Sequence, residues 1–405
     1  MKKIFLITSS FPYGGGEQFL ETEMNYYKGI DLTIIPKVVD GEYREISKEI
    51  KVDKFLAEQS FKKNKYIYLL KSLRKKVFFQ ELLLENFFNV KKLKYFFASI
   101  YLYQMYYEIF DKFFEKNQDV HDSIIYTYWN DEATYALQSL KSKYQYKLIS
   151  RIHGGDLYKE RQVFNYMPLK KQFTENINTL YTITQSANKY LEDNYGFNKK
   201  TLKLSKLGVK DRGIIVRKSQ KSCFNIVSCS YLIEVKQVDK IIKSLKLLVT
   251  KVKDINFSWV HIGDGILYHD LVALAKKELD TCNNIKYIFV GNYTNEKVYE
   301  FYSNNEVDVF LNVSLSEGVP VSIMEAMSCH VPIIAPSVGG ISDMVKTNYN
   351  GTLLSDESRI EEIVEALSNS VYFKNKSIRE NSYQLFLEQY NADKNYKIFL
   401  EDIGR

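Results

Sequence analysis

Ser316-Glu317-Gly318-Val319-Pro320-Val321-Ser322-Ile323-Met324-Glu325-Ala326-Met327 follows the apolar run Val309–Val313 and leads into Ser328–Gly340. The run before it is short and Val-rich, as a strand buried on both faces should be, and the stretch after Pro320 has helical spacing. Gly318 permits close approach of backbone to a ligand, and the free N–H groups at a helix start favour an anionic group there. Glu317 falls on the loop and Glu325 about two turns into the helix; both are suited to accept hydrogen bonds from hydroxyls, whereas a carboxylate repels phosphate. A capped helix whose Glu325 makes a salt bridge is the alternative.

Outward from this unit, strand, turn and helix alternate along the whole chain. Strands are predicted at Lys3–Ser9, Leu32–Lys37, Ser123–Tyr128, Lys147–Ile152, Thr179–Thr184 and Leu202–Leu207, then at Phe224–Ser230, Asn256–Ile262, Lys286–Val290, Val309–Val313, Pro332–Ala335 and Gly351–Leu354. Their alternation with amphipathic stretches predicts βαβ units and parallel sheets. A chain of 405 residues suits two domains of about 200 residues each, with the junction at Gly208–Ser222, where apolar periodicity is lost and charge gained. Doubly wound sheets bind ligands beyond the carboxyl ends of their strands, so those ends hold the candidate residues.

Several such ends carry chemistry. Lys236 lies in Ser230–Asp239 and offers a point charge to an anion, although a solvated surface lysine is the simpler local reading. Phe11-Pro12-Tyr13-Gly14-Gly15-Gly16-Glu17-Gln18-Phe19 holds three consecutive glycines, suited to a tight backbone or close ligand approach. Arg151-Ile152-His153-Gly154-Gly155-Asp156 places one of only 5 histidines after a buried-strand pattern. Tyr128-Trp129 ends the preceding strand and suits either a stacking surface or core packing. His261-Ile262-Gly263-Asp264-Gly265 has Tyr268 where a dinucleotide fingerprint wants its third glycine. Gly291-Asn292-Tyr293 follows Lys286–Val290.

Hydrophobic residues at 45% and charged residues at 26% exclude a disordered or fibrous chain. Cys223, Cys229, Cys282 and Cys329 show no CxxC spacing and read as buried thiols in a reducing cytoplasm. The run Ile4–Ile7 is too short for a signal peptide and reads as a strand, and no apolar stretch reaches the roughly 18 residues of a membrane span. Net charge is +7, and the window 61–118 holds 12 Lys/Arg against 5 Asp/Glu together with 17 of the 59 aromatic residues. Basic and aromatic side chains together favour an anionic membrane surface or a lipid-linked partner. The apolar positions Leu69, Leu70, Leu73, Val77, Phe96, Phe97, Ile100, Leu102 and Tyr103 fit equally well with helices packed on the first sheet. No nucleic-acid partner is expected.

The segment Ser316–Gly340 resembles glycosyltransferase family 4, through two glutamates separated by seven residues with Gly and Pro between them, and through the strand and Gly339-Gly340 turn that follow. The resemblance implies an α/β GT-B fold: two facing Rossmann-like, doubly wound domains, with a helical insertion at about 61–118 in the first. It implies an acceptor-side domain at 1–208, a nucleotide-sugar-binding domain at 209–376, and helices at 377–405, the last crossing back to the first domain. By resemblance, Glu317 contacts the transferred sugar, Glu325 the ribose, and backbone near Gly318, Val319 and Pro320 the diphosphate or sugar. Lys236 meets the diphosphate, Gly15 and Gly16 approach it across the cleft, and Gly263, Asn292 and Tyr293 line the donor. His153 stands beside the reacting sugar and, with Glu317 and Lys236, forms the catalytic set; Arg151, Asp156, Tyr128 and Trp129 lie nearby on the acceptor side. Two departures are Tyr231, where Arg is frequent, and His330, where Gly is usual and positive φ would strain a side chain.

The implied activity is retaining transfer of a sugar from a nucleoside-diphosphate sugar, a UDP-sugar first, to a hydroxyl of a polyprenyl-linked or saccharide acceptor in capsule, O-antigen or exopolysaccharide synthesis. It implies front-face attack, no metal and no cofactor, in a cytoplasmic protein that can attach to the inner face of the plasma membrane. A non-catalytic partner subunit of the same fold and a nucleotide-sugar epimerase are the rival readings.

Overall fold

The computed structural model describes residues 2–61 and 65–404, so residues 62–64 of the expected insertion lie outside the described residues. The chain divides into two compact units, one of Met1–Lys206 with Tyr396–Arg405 and one of Leu207–Asn395.

The first unit is built on strands β1 (Ile4–Thr8), β2 (Leu32–Pro36), β3 (Lys51–Val52), β4 (Ile124–Thr127), β5 (Lys147–Ile152), β6 (Thr179–Thr182) and β7 (Leu202–Leu204). They form one parallel sheet in the order β3-β2-β1-β4-β5-β6-β7. Strands β1, β2, β4 and β6 are buried at every position, as expected where helices cover both faces. The two-residue edge strand β3 is too short to show any period and was not among the predicted strands. Its helices are α1 (Phe19–Met24), α2 (Phe55–Phe61), α3 (Lys65–Ser72), α4 (Lys76–Leu84), α5 (Val90–Lys116), α6 (Glu132–Tyr144), α7 (Gly154–Leu157) and α8 (Gln185–Tyr195).

Among the described residues the expected insertion holds three helices, α3 to α5, and they do not all do the same thing. Helix α5 packs along α6 and buries Phe96, Ile100, Tyr103, Phe110 and Phe113 in the core that covers one face of the sheet. Leu69, Val77, Phe97 and Leu102 pack at its margin, whereas Leu70 and Leu73 are exposed.

The second unit holds β8 (Cys223–Cys229), β9 (Asn256–Ile262), β10 (Ile285–Phe289), β11 (Val309–Leu311), β12 (Ile333–Pro336) and β13 (Gly351–Leu354), again all parallel, in the order β10-β9-β8-β11-β12-β13. Helices α9 (Val238–Lys251), α10 (Tyr268–Leu279), α11 (Asn295–Asn304), α12 (Val321–Ser328), α13 (Ile341–Met344), α14 (Ile360–Ser368), α15 (Ser370–Phe373) and α16 (Lys376–Gln389) accompany it. Trp259 is buried in its core among Phe224, Phe257 and Leu311. Helix α17 (Ala392–Gly404) starts in this unit, and from Tyr396 onward it belongs to the first, where Phe399, Leu400 and Ile403 are buried beside Leu6, Tyr126 and Tyr181. Gly208 is required at the junction: a Cβ there would lie 2.7 Å from the Ala392 nitrogen and 2.8 Å from the Tyr390 carbonyl. All four cysteines are free; only Cys329 is fully buried, the other three being half-buried.

Candidate functional site

Both sheets reverse their strand order at one place, between β1 and β4 in the first unit and between β8 and β11 in the second. In each sheet the loops leaving the carboxyl ends of the two strands that flank the reversal are where such sheets hold ligands.

In the second unit the two loops carry Lys236 and Glu317. The Leu315 N–H donates to the Val235 carbonyl at 2.8 Å and draws the loops together. Lys236 Nζ then donates to Glu317 Oε1 at 2.7 Å, and Asn312 Nδ2 to the same oxygen at 3.2 Å. The ion pair is mostly enclosed, so an ammonium is held at the switch point by a carboxylate that is itself held. Asn312 was not among the predicted residues; it lies one residue past β11, where a buried amide in an apolar run was the available signal.

Gly318 lies against the turn after β12. The Gly340 N–H donates to the Gly318 carbonyl at 2.7 Å, and a Cβ on Gly339 (φ +56°) would sit 1.9 Å from the Glu317 carbonyl oxygen. The Gly339-Gly340 pair is therefore needed so that one loop can rest on another. Val319 and Pro320 are buried, and α12 starts at Val321. Glu325, within α12, is buried and receives Asn295 Nδ2 at 2.5 Å, while Arg212 donates to Asn295 Oδ1 at 3.0 Å. Burial pushes the Glu325 carboxyl up to about 7, with Asn295 opposing. The salt bridge foreseen as its alternative role is not what its hydrogen bond makes: the partner is an amide. His330 does adopt positive φ, +61°, with its ring stacked 4.0 Å from that of Tyr383. Stacking against Tyr383 accompanies the strained backbone that a glycine would adopt freely.

The remaining donor-side predictions divide. Gly263 (φ +140°) would place a Cβ 1.9 Å from the Ser230 carbonyl oxygen, and one on Gly265 would lie 2.5 Å from that of Leu232. Both glycines are needed for backbone-to-backbone packing; His261, bonded to Ser228 of β8, has its pKa lowered by burial to about 4. Asn292 is exposed and Tyr293 half-exposed just beyond Gly291, whose carbonyl accepts the Gly263 N–H at 2.8 Å. Tyr231 is exposed.

In the first unit the loop after β1 curls over Glu17, which has φ +55° and a buried side chain. Its carboxylate accepts the backbone N–H groups of Ser9 (2.9 Å), Ser10 (3.0 Å) and Phe11 (2.9 Å), and Trp129 Nε1 across the switch point at 2.6 Å. Glu17 was missed because its neighbours are glycines and its partners are backbone. Of the glycines, Gly14 (φ +65°) carries the tight turn against Asp40 and Gly41, whereas Gly15 and Gly16 are exposed, the Gly16 carbonyl accepting from the Arg44 guanidinium.

His153, at the end of β5, is stacked among Phe19 (5.4 Å), Tyr128 (4.8 Å) and Trp129 (4.7 Å), measured between ring centroids. Among the described residues neither ring nitrogen has a hydrogen-bond partner. Burial, and then the charge on Arg151, holds its pKa well below the usual value, so the imidazole is neutral. Asp156 accepts the backbone N–H of His153 and of Asn130, each at 2.7 Å, and burial raises it to about 6. Lys170, fully buried, donates to the Asn130 carbonyl and Oδ1 at 2.9 Å; burial lowers it to about 8.

Two of the acceptor-side residues are buried beside His153. Arg151 is fully buried, paired with Glu23 at 3.1 Å, its guanidinium 4.4 Å from the Phe399 ring. Tyr128 is likewise fully buried, stacked against Phe19 and 4.8 Å from the His153 ring. Asp156 acts through backbone, and Trp129 alone of the four keeps a partly exposed ring.

Residues 216–400 match the family described as glycosyl transferases group 1. It is 30% identical over 156 residues to an uncharacterized glycosyltransferase of Methanocaldococcus jannaschii (38% of this chain, 42% of the relative), and 30% identical over 135 residues to the amylovoran biosynthesis glycosyltransferase AmsK of Erwinia amylovora (32% and 31%). The chain thus spans less than half the length of these curated relatives. Over its full length the fold is that of GT-B glycosyltransferases. HepE of Anabaena, solved in complex with UDP, superposes with a TM-score of 0.69 at 16% identity, covering 100% of both chains. The lipopolysaccharide outer core galactosyltransferase WaaB, in its apo form, gives 0.68 at 15% identity, covering 98% of this chain and 99% of that one.

Proposed function

We propose that this chain is a retaining glycosyltransferase that moves a sugar from a nucleoside-diphosphate sugar, a UDP-sugar first, to a hydroxyl of a lipid-linked or oligosaccharide acceptor in bacterial surface polysaccharide synthesis. The observation that carries this reading is the Lys236–Glu317 pair at the switch point of the second sheet, 2.7 Å apart, with Glu325 in the helix that follows. An ammonium there is suited to the charge growing on a departing diphosphate, and Gly318 beside a helix start supplies N–H groups to the same end. Glu317 and Glu325 act as hydroxyl acceptors for sugar and ribose. Neutral His153 offers a ring nitrogen to a sugar hydroxyl without adding charge.

In the proposed step the acceptor oxygen attacks the anomeric carbon from the face the diphosphate leaves. The carbon–oxygen bond to phosphate breaks, and the departing phosphate oxygen takes the acceptor proton. The anomeric configuration is retained without a carboxylate nucleophile and without a metal. The acceptor side is read as lying at an anionic membrane surface, with the protein peripheral on its cytoplasmic face; among the described residues no helix is long and apolar enough to cross a membrane.

The test is thermal stabilisation of the purified chain by a panel of UDP- and GDP-sugars, followed by transfer assays with the donor that binds. Transfer with retained configuration, unchanged by EDTA, is expected. Donor binding without turnover would instead indicate a non-catalytic partner, and donor interconversion without acceptor an epimerase.

A further inference from the structure

The segment 76–94 sorts its side chains by chemistry. Helix α4 is fastened to the body by Phe78 and Glu81: the Glu81 carboxylate, 2% exposed, accepts the Tyr166 hydroxyl (2.5 Å), Gln172 Nε2 (2.6 Å) and the Leu169 N–H (3.0 Å). The segment's other carboxylate, Glu85, is neutralised by Lys92 at 2.9 Å and Lys171 at 2.8 Å. What faces outward is apolar. Phe79 and Leu83, one helical turn apart, are exposed, Leu83 at 86%, and the turn before α5 adds Phe88 at 95% and Val90. Around them Arg74, Lys76, Lys91 and Lys94 make no salt bridge among the described residues.

A solvated helix does not turn its acids inward and its phenylalanine outward, and a contiguous exposed apolar patch marks an interaction surface. We propose that segment 76–94 docks the first unit on an anionic lipid bilayer, with Phe79, Leu83 and Phe88 inserted among the acyl chains and Lys76, Lys91 and Lys94 on the headgroups. Pairing with the same face of a second copy would set these cations against one another, because the segment's own acids are consumed within the first unit. A bilayer supplies the apolar depth and the negative charge together, each cation near such a surface strengthening attachment roughly fivefold. The inference deepens the reading above and rests on it only for what the membrane carries; Lys92, which one would also have counted as a headgroup contact from sequence, is engaged by Glu85.

The test is flotation of the full chain with vesicles of phosphatidylcholine alone and of phosphatidylcholine mixed with phosphatidylglycerol, beside size-exclusion chromatography. Wild type should float with the mixed vesicles and weakly with the neutral ones. K76E/K91E/K94E should lose at least about tenfold in affinity for mixed vesicles only, and F79S/L83S/F88S should lose binding to both. Both variants change exposed side chains, so circular dichroism and donor binding in solution should be unchanged. Equal flotation of all three proteins, or of wild type with both vesicles, overturns the inference, as does a dimer that F79S/L83S/F88S converts to monomer. Loss of donor binding by wild type would sink the transferase reading and leave the lipid result standing.

Discussion

At the switch point of each sheet a carboxylate receives a nitrogen from the loop of the neighbouring strand, Trp129 to Glu17 in the first unit and Lys236 to Glu317 in the second. The two carboxylates are used differently. Glu17 gathers three backbone N–H groups and thereby sets the path of the glycine loop, and Asp156 does the same for the loop of His153. Glu317 and Glu325 bind side-chain donors, an ammonium and amides, which can shift to meet a solute. The first unit uses buried charge to shape backbone around a neutral imidazole; the second presents charge itself.

The sharpest way to break the contrast is K236A, which should lower transfer kcat/KM by about 100- to 1000-fold through loss of diphosphate stabilisation, and should lower the unfolding temperature as well because the enclosed Glu317 loses its ammonium; steady-state kinetics on the folded protein and a thermal melt decide it. E325Q tests the charge held in the second unit. Because burial raises the Glu325 pKa from 4.5 to about 7, its ionisation costs the folded state stability progressively from pH about 4.5 to about 7, by at most about 3 kcal/mol. E325Q should therefore match wild type in denaturant melts at pH 4.5 and exceed it above pH 7. Donor affinity in the wild type should rise as pH passes through about 7, and E325Q should lose that dependence. If affinity falls with rising pH, the carboxylate is not the acceptor of a ribose hydroxyl.

E17Q probes the first unit, since an amide nitrogen would face N–H donors that a carboxylate oxygen now accepts. A loss of about 2 kcal/mol in urea unfolding is expected; an unchanged midpoint would remove Glu17 from its structural role. H153F keeps the aromatic stack and removes both ring nitrogens, so transfer should fall about tenfold, at the low end of what a hydrogen bond to a sugar contributes, while the melt stays in place. A melt that drops with activity would make His153 a packing residue. The smallest effect belongs to H330G, where relief of a positive φ and loss of the Tyr383 stack oppose each other, leaving a change within about 1 kcal/mol by calorimetry.

Much of this was legible in residue order. Lys147–Ile152, Asn256–Ile262 and Gly351–Leu354 are strands at the residues where apolar runs meet turn residues, because a strand buried on both faces needs such a run. Glu317, Glu325 and the Gly339-Gly340 turn were readable as one unit because they are local, strand to loop to helix. What could not be read was burial. Arg151 and Tyr128 stand at strand ends, where ligands bind, but that α1 and α17 cover them depends on distant sequence. That Ser230 lies under Gly263 likewise shows only in the folded chain. The helices of 61–118 read as one amphipathic stretch, and only packing separates α5, in the core, from α4, whose far face is bare.

Sequence alone, then, determined the parallel sheets, the loop that carries the paired glutamates and the positive backbone angle required at His330, since each depends on residues within a few positions of one another. Tertiary structure alone decided that Lys236 meets Glu317, that Glu17 holds the glycine loop, and that His153 sits neutral and unpartnered among three rings. Those contacts join residues 6 to 134 positions apart across a switch point or within a buried layer, and the burial that sets their charges exists only once the sheets have been covered.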